Sequence, residues 1–565
     1  MVNISKIRIF VAACVLFATA GQVRGDEFAS GKATGLMRQE SGLEQGQRMV
    51  PNLMEAVRRL EGARGMKGAS VGILAVTADG DTLIDVCRER LLLPASNMKT
   101  VTTAAALKRL GEDFRFRTSI GYSGNIEDGI LKGNLYIIGG GDPTIGSVNP
   151  IAEKLDETFG KWASFVREAG IREIEGWIVG DGRWLPGMME QESWQLNDSG
   201  TYYGSGVSGL SFYENVQDFL VQAGKEPGDS LNVRVKYPLT PWLKYSFPCV
   251  TGPKGSGNTL YFYTTGLSPI GEMRGTFAVD RKPRTEQAAN KFPEMTCAAY
   301  FCDYLERCGI TCSEGAADTG LLFGVPERVP QEELTVIGHT ESPELKAIVQ
   351  VTNRESNNLY AETLLRTLGK MYGTGSDYRA SCQVLRRILQ EMGADPEGMR
   401  ISDGSGLSRE DHLSADFLCR LLRSVLDQPF REAFIRSLPK PGGEGSIKFI
   451  MQETSAVVKD RILMKSGSMS DVRCFCGYIL PKGSLTGKGG TSGVKDGAGS
   501  RETDGREDNA RRADSREGNG RGFDAAGQVS GDTIIFSLMV NNFTWPLSRI
   551  QPYIDGVILA LAQCN

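Results

Sequence analysis

The stretch Pro94-Ala95-Ser96-Asn97-Met98-Lys99-Thr100-Val101-Thr102-Thr103-Ala104-Ala105-Ala106-Leu107 opens on a proline, runs through threonine and alanine without a break, and continues to Leu110 before Gly111. A helix start and a helix stop thus stand in their expected places, which predicts a helix over 96–110. Working outward, residues 53–63 read as an amphipathic helix, and 69–76 and 82–87 as strands joined by an Asp79-Gly80 turn. A sheet therefore precedes this helix, and Ser96 sits at the helix N-terminus. The spacing of three places the Ser96 and Lys99 side chains on one face.

That pairing carries chemistry. The chain has only two histidines, His339 and His412, and neither has a supporting motif around it. Both read as surface or loop residues, so the usual base for an activated serine is missing. A lysine can take its place if burial or a neighbouring cation keeps part of it neutral. Unsatisfied N–H groups at the helix N-terminus also lie where an oxyanion forms during acyl transfer. Ser-x-x-Lys alone is weak evidence, since Ser492-Gly493-Val494-Lys495 repeats it in a low-complexity tract.

Two further segments have the same character. Ser356-Asn357-Asn358 stands between helical runs; Ser-x-Asn also occurs at Ser123, Ser147 and Ser256, so only its place gives this copy weight. Lys465-Ser466-Gly467-Ser468 is read directly after a strand at 461–464, where a cation and hydroxyls on a sheet edge can hold a carboxylate.

At 565 residues the chain exceeds the roughly 250–300 at which single cores stop growing, so two or more domains are expected. Hydrophobic residues at 40% and charged residues at 23% place it among globular proteins. A net charge of -4 offers no basic field, which argues against nucleic-acid partners. Lys6 and Arg8 precede an apolar run over 9–20 and then small residues, the layout of a signal peptide at 1–25 with cleavage between Ala20 and Asp26. After cleavage no membrane span is expected. Val11-Ala12-Ala13-Cys14 also has the look of a lipoprotein processing site, but more apolar residues follow Cys14 than precede it.

Residues 114–335 change texture to short β-like runs with many glycines, including Gly139-Gly140-Gly141-Asp142. They read as inserted β-rich material between two parts of one domain, 26–113 and 336–565. Helical periodicity returns over 343–371, 378–392 and 415–426. Strands are predicted over 472–480 and 533–541, and a closing helix over 547–563. Between those strands, 483–531 is too poor in large apolar residues to offset chain entropy and reads as a disordered insertion. The 12 cysteines lack paired zinc-knuckle spacings; the gaps of five, six and four among Cys297, Cys302, Cys308 and Cys312 fit buried thiols or a disulfide, and no metal or cofactor is expected.

The three motifs in this order resemble the penicillin-recognising serine enzymes, with their Ser-x-x-Lys, Ser-x-Asn and Lys-Thr-Gly elements. Three features are similar to the D-Ala-D-Ala carboxypeptidase/endopeptidase family of class C penicillin-binding proteins: Gly139 to Thr144, the segment around Ser356, and Asp403-Gly404-Ser405-Gly406-Leu407-Ser408. So is the gap of 260 positions between Ser96 and Ser356.

The resemblance implies an α+β/α/β fold class, with a β-lactamase/transpeptidase-like antiparallel sheet flanked by helices. It implies a periplasmic hydrolase acting on peptidoglycan stem peptides and acylated by β-lactam antibiotics. Carried over by motif, Ser96 is the acylated nucleophile, Lys99 its base, and Ser356 the donor to the leaving D-alanine. Asn358 holds the substrate's peptide carbonyl, Lys465 and Ser466 bind the terminal carboxylate, and the Ser96 and Ser468 N–H groups form the oxyanion hole with Gly467 between the motif hydroxyls. Asp142 is implied as a contact for the amino group of a diamino acid; read on its own, its segment is a β-turn. Ser466 stands where the family has threonine. A serine β-lactamase and a catalytically idle wall-binding protein remain as alternatives.

Overall fold

Two runs, Val472–Ile479 and Ile534–Asn541, are buried along their whole length, as expected of strands covered on both faces. They form the middle of an antiparallel sheet ordered Ile462–Met469, Val472–Ile479, Ile534–Asn541, Ser70–Thr77, Thr82–Val86. Period two sends alternate side chains to two cores. Cys474, Cys476 and Tyr478 enter one with the helices Met98–Leu110, Asn358–Tyr372, Tyr378–Glu391 and Ala415–Leu426. Phe475 and Ile479 enter the other, against Pro51–Gly62 and Leu547–Ala562.

The computed structural model describes residues 51–320, 334–482 and 530–565. The expected signal peptide, Cys14 and nearly all of the 483–531 tract fall outside them. Among the described residues, no helix is long and apolar enough to cross a membrane.

The stretch after residue 114 carries its own core. Its five-stranded sheet runs Gly315–Asp318, Trp177–Asp181, Leu135–Ile138, Arg117–Tyr122, Thr335–Glu341. Two helices missing from the sequence reading, Leu155–Glu168 and Pro293–Arg307, pack there through Phe159, Trp162 and Phe301. Phe159, Trp162, Ala163 and Val166 do have helical spacing, and Pro293 stands in the first turn where proline is favoured. The glycine-rich surroundings masked both signals. Thr335–Glu341 pairs with Arg117–Tyr122, so this sheet runs on to Glu341.

Two more expectations are corrected. The single helical run over 343–371 is two helices, Leu345–Arg354 and Asn358–Tyr372. The motif expected just after a strand lies inside one, because Ile462–Met469 extends through Lys465 and Gly467.

Candidate active site

The turn Ala95–Asn97 leads into Met98–Leu110, whose first ten residues are all buried, so small side chains are needed on every side. The threonine hydroxyls find acceptors inside: Thr100 Oγ1 donates to Asn97 O at 2.7 Å and Thr102 Oγ1 to Gly404 O at 2.7 Å. Ala95, just before the serine, has φ 45°, a left-handed conformation that costs a non-glycine residue about 1–3 kcal/mol. Its carbonyl lies so close to Gly406 that a Cβ there would collide with it.

Lys99 has no exposed surface. Its Nζ donates to Ser96 Oγ at 3.1 Å, Asn358 Oδ1 at 2.6 Å and Ser405 O at 2.8 Å. Burial pushes the ammonium down to about 8, against the opposing pull of Glu362 and Asp403. Two motifs 259 positions apart thus meet on one nitrogen.

Ser356 occupies the break between the two helices with φ 59°. Asn357 caps the second helix, its Oδ1 accepting from Tyr360 N at 3.1 Å, and so fixes Asn358 in the first turn. Asn358 Nδ2 donates to Tyr203 O at 2.9 Å. From the sheet edge, fully buried Lys465 donates through Nζ to Ser356 Oγ at 2.9 Å and to Ser466 O at 2.7 Å. Burial, with Lys99 adding repulsion, pushes the Lys465 ammonium far down.

Gly467 lets the strand touch the turn that carries Ser96, since a Cβ there would collide with the Pro94 carbonyl oxygen. Ser468 is exposed, while Ser466 is buried with its Oγ 3.4 Å from Ser446 Oγ. A cleft of about 1000 Å³ has Ser96, Ser356, Asn358 and Ser468 in its wall. Neither histidine lines it, and His412 Nδ1 contacts Glu410 O at 3.0 Å.

Asp142 does not line the cleft. Its Oδ1 accepts from Thr144 N at 2.8 Å and Thr144 Oγ1 at 2.6 Å, which leaves it buried as the cap of a turn. The structure thus gives Asp142 the turn-capping role that its segment suggests on its own. The carboxylates that do face the cleft include Asp198 and Glu214, beside Arg409. Glu214 is engaged, accepting from Ser147 Oγ, Asn357 Nδ2 and Tyr360 OH at 2.5, 2.9 and 3.3 Å.

The sequence reading also gave no role to Glu362 or to the loop beside it. Asp403 shapes that loop, its carboxylate accepting from Gly406 N at 2.6 Å, Ser408 N at 2.7 Å and Trp194 Nε1 at 2.9 Å. The cysteines are free thiols among the described residues, and these residues include no group of three His, Cys, Asp or Glu disposed to hold a metal.

The D-Ala-D-Ala carboxypeptidase 3 (S13) family matches residues 55–552. A D-alanyl-D-alanine carboxypeptidase of Actinomadura sp. strain R39 is 30% identical over 443 residues, 74% of this chain and 77% of that one. The D-alanyl-D-alanine carboxypeptidase DacB of Haemophilus influenzae is 23% identical over 73% of this chain and 83% of its own length. The crystal structure of penicillin binding protein 4 from Haemophilus influenzae superposes with a TM-score of 0.68 at 18% identity, covering 91% of this chain and 99% of that one. With sequence matching over most of its length and the fold shared, the chain belongs to the D-Ala-D-Ala carboxypeptidase 3 (S13) family of serine hydrolases.

Proposed function

We propose that Ser96 is the nucleophile of a serine D-Ala-D-Ala carboxypeptidase, with Lys99 as its base. The observation that carries this is the wholly buried Lys99 amine within hydrogen-bond reach of Ser96 Oγ. When Lys99 is neutral the same contact reverses, and the Ser96 hydroxyl donates to the amine. Ser96 Oγ then bonds to the carbonyl carbon of the penultimate D-alanine while its proton passes to Lys99. Collapse of the intermediate breaks the peptide bond, and the proton that Lys99 received passes through Ser356, which Lys465 contacts, to the departing amine, leaving Lys99 neutral again. Water hydrolyses the ester and restores the serine.

Asn358 orients the substrate amide, Lys465 and Ser466 receive the terminal carboxylate, and the N–H groups of Ser96 and Ser468 stabilise the oxyanion across the close approach at Gly467. A substrate carboxylate beside Lys465 restores the charged form that burial disfavours. Asp198, with fewer internal partners than Glu214, replaces Asp142 as the candidate contact for a substrate amino group. The same site accepts β-lactams, and endopeptidase action on cross-linked stem peptides is included. The chain acts after export, in the periplasm, with 1–25 removed and the sheet-rich stretch after 114 inserted into the catalytic domain.

Mass spectrometry of the mature protein after incubation with benzylpenicillin tests this reading. One lasting adduct on the peptide containing Ser96, absent from Ser96→Ala, is expected. Rapid hydrolysis without an adduct makes the protein a β-lactamase, and neither adduct nor hydrolysis makes it an idle wall-binding protein. Release of D-alanine against release of monomers from cross-linked muropeptides separates the two peptidase activities.

A further inference from the structure

Glu362 is a fully buried carboxylate that touches no substrate-facing atom, yet it lies one link from the Lys99 amine. Its Oε2 accepts from Gly404 N at 2.9 Å and its Oε1 from Ser405 N at 2.7 Å. The Ser405 carbonyl is in turn an acceptor for Lys99 Nζ at 2.8 Å, and the Gly404 carbonyl accepts from Thr102 Oγ1 on the same helix as Lys99. Both carboxylate oxygens are thus committed to one peptide segment, and both faces of that segment are committed to the nucleophile's helix. We propose that Glu362 is a positioning residue for Lys99, anchoring the backbone whose carbonyl holds the amine and placing a negative charge behind it. This rests on Lys99 being the base for Ser96.

Two effects follow, and they separate experimentally. The first is geometric. A glutamine has one oxygen where Glu362 has two, so its amide N–H₂ must face one of the two backbone N–H donors, and the Ser405 carbonyl loses its anchor. The second is electrostatic. Lys99 faces Glu362 from the Asn358–Tyr372 helix, Asp403 from the loop and Lys465 from the sheet edge. Glu362 itself is surrounded by Asp403, Asp411, Arg366 and Tyr378. Burial pushes the Glu362 carboxyl up to about 8, so its charge develops only as pH rises toward that value, where it holds the Lys99 amine toward the protonated form; with that charge removed the neutral base persists to lower pH.

The experiment is the rate of benzylpenicillin acylation against pH, followed by mass spectrometry on the full mature chain. Parent, Glu362→Gln and Glu362→Asp are compared, with Ser96→Ala and Lys99→Ala as controls. Glu362→Gln is expected to acylate about 10²-fold more slowly, the loss that misplacing a catalytic group entails, with its acidic limb moved to lower pH. Glu362→Asp keeps the charge and is expected to slow acylation with the limb in place. A parent-like rate and an unmoved limb in Glu362→Gln overturn the proposal; should that variant not fold, a parent-like profile in Glu362→Asp does so. Acylation surviving in the Ser96→Ala or Lys99→Ala control instead overturns the underlying assignment of the base.

Discussion

Taking an ammonium out of water disfavours its charged form, and Lys99 has no exposed surface. The direction of the pH dependence follows. Lys99 is held down to about 8, so the neutral amine becomes the major form as pH rises through that value, and acylation is expected to climb with it. A rate that stays flat from slightly acid to alkaline pH counts against Lys99 as the base. Replacing it with alanine is expected to lower acylation by about 10²–10⁴-fold, the contribution of a positioned base, while far-UV circular dichroism remains that of a folded protein. Gly467→Ala is expected to be as damaging for a different reason, because the added methyl collides with the Pro94 carbonyl oxygen and pushes the sheet edge off the nucleophile turn. Ser466→Thr restores the family's residue and is expected to keep activity. At this scale the Ser96 and Lys99 pair was legible because helical spacing alone brings the two together. Asp142 shows the limit of that legibility, because an aspartate capping a turn and one meeting a ligand have the same sequence appearance. Glu362 gave no signal at all, since only the folded loop reveals what its oxygens hold.

Helix boundaries decide where the second motif points. Periodicity runs through 343–371, yet the Ser356 motif reads as a junction between helical runs, and the interruption falls there, with Ser356 at φ 59°. The interruption is stabilised by Asn357, whose Oδ1 caps the following helix and whose Nδ2 reaches Glu214 at 2.9 Å. Asn357→Ala is expected to cost about 1 kcal/mol for the cap and to loosen Asn358, which holds Lys99 at 2.6 Å. Thermal unfolding and penicillin acylation should therefore fall together, and an unchanged melting temperature removes the cap from the account. The strands of the central sheet were legible because they alternate between two apolar cores. The extension of Ile462–Met469 through the Lys465 motif was not, since its glycine and lysine are residues depleted in strands.

The two parts of the sheet that carries Lys465 are separated by a long stretch that leaves and returns at one place, with Arg117 opposite Glu341 on paired strands. Adjacent ends let the proposed insertion form without opening that sheet, whose first and last strands still pair from Ser70 to Thr77. Nothing local in the sequence encodes that return, although a change of texture marks where it begins. What the insertion does for the site depends on contacts between residues more than a hundred positions apart. Tyr203 O holds Asn358 Nδ2, and Glu214 accepts from both Asn357 and Tyr360. Glu214 is presented by three successive left-handed residues, Tyr213, Glu214 and Asn215, at φ 50°, 54° and 53°. L-residues avoid such a run unless surrounding bonds impose it. Here Asn215 supplies them, accepting from Phe212 N at 3.1 Å and donating to Gly206 O at 3.1 Å. The turn is therefore built to aim one carboxylate at the Ser356 motif. Removing it in Glu214→Ala forfeits hydrogen bonds to a charged group worth about 1.5–3 kcal/mol each, and the loss should be felt in the catalytic region rather than in the insertion alone. The expected outcome is a lower melting temperature together with slower acylation of Ser96, with the insertion still folded. A variant that loses stability but acylates at the parent rate would show that the insertion braces the fold without setting the geometry of Ser356 and Asn358.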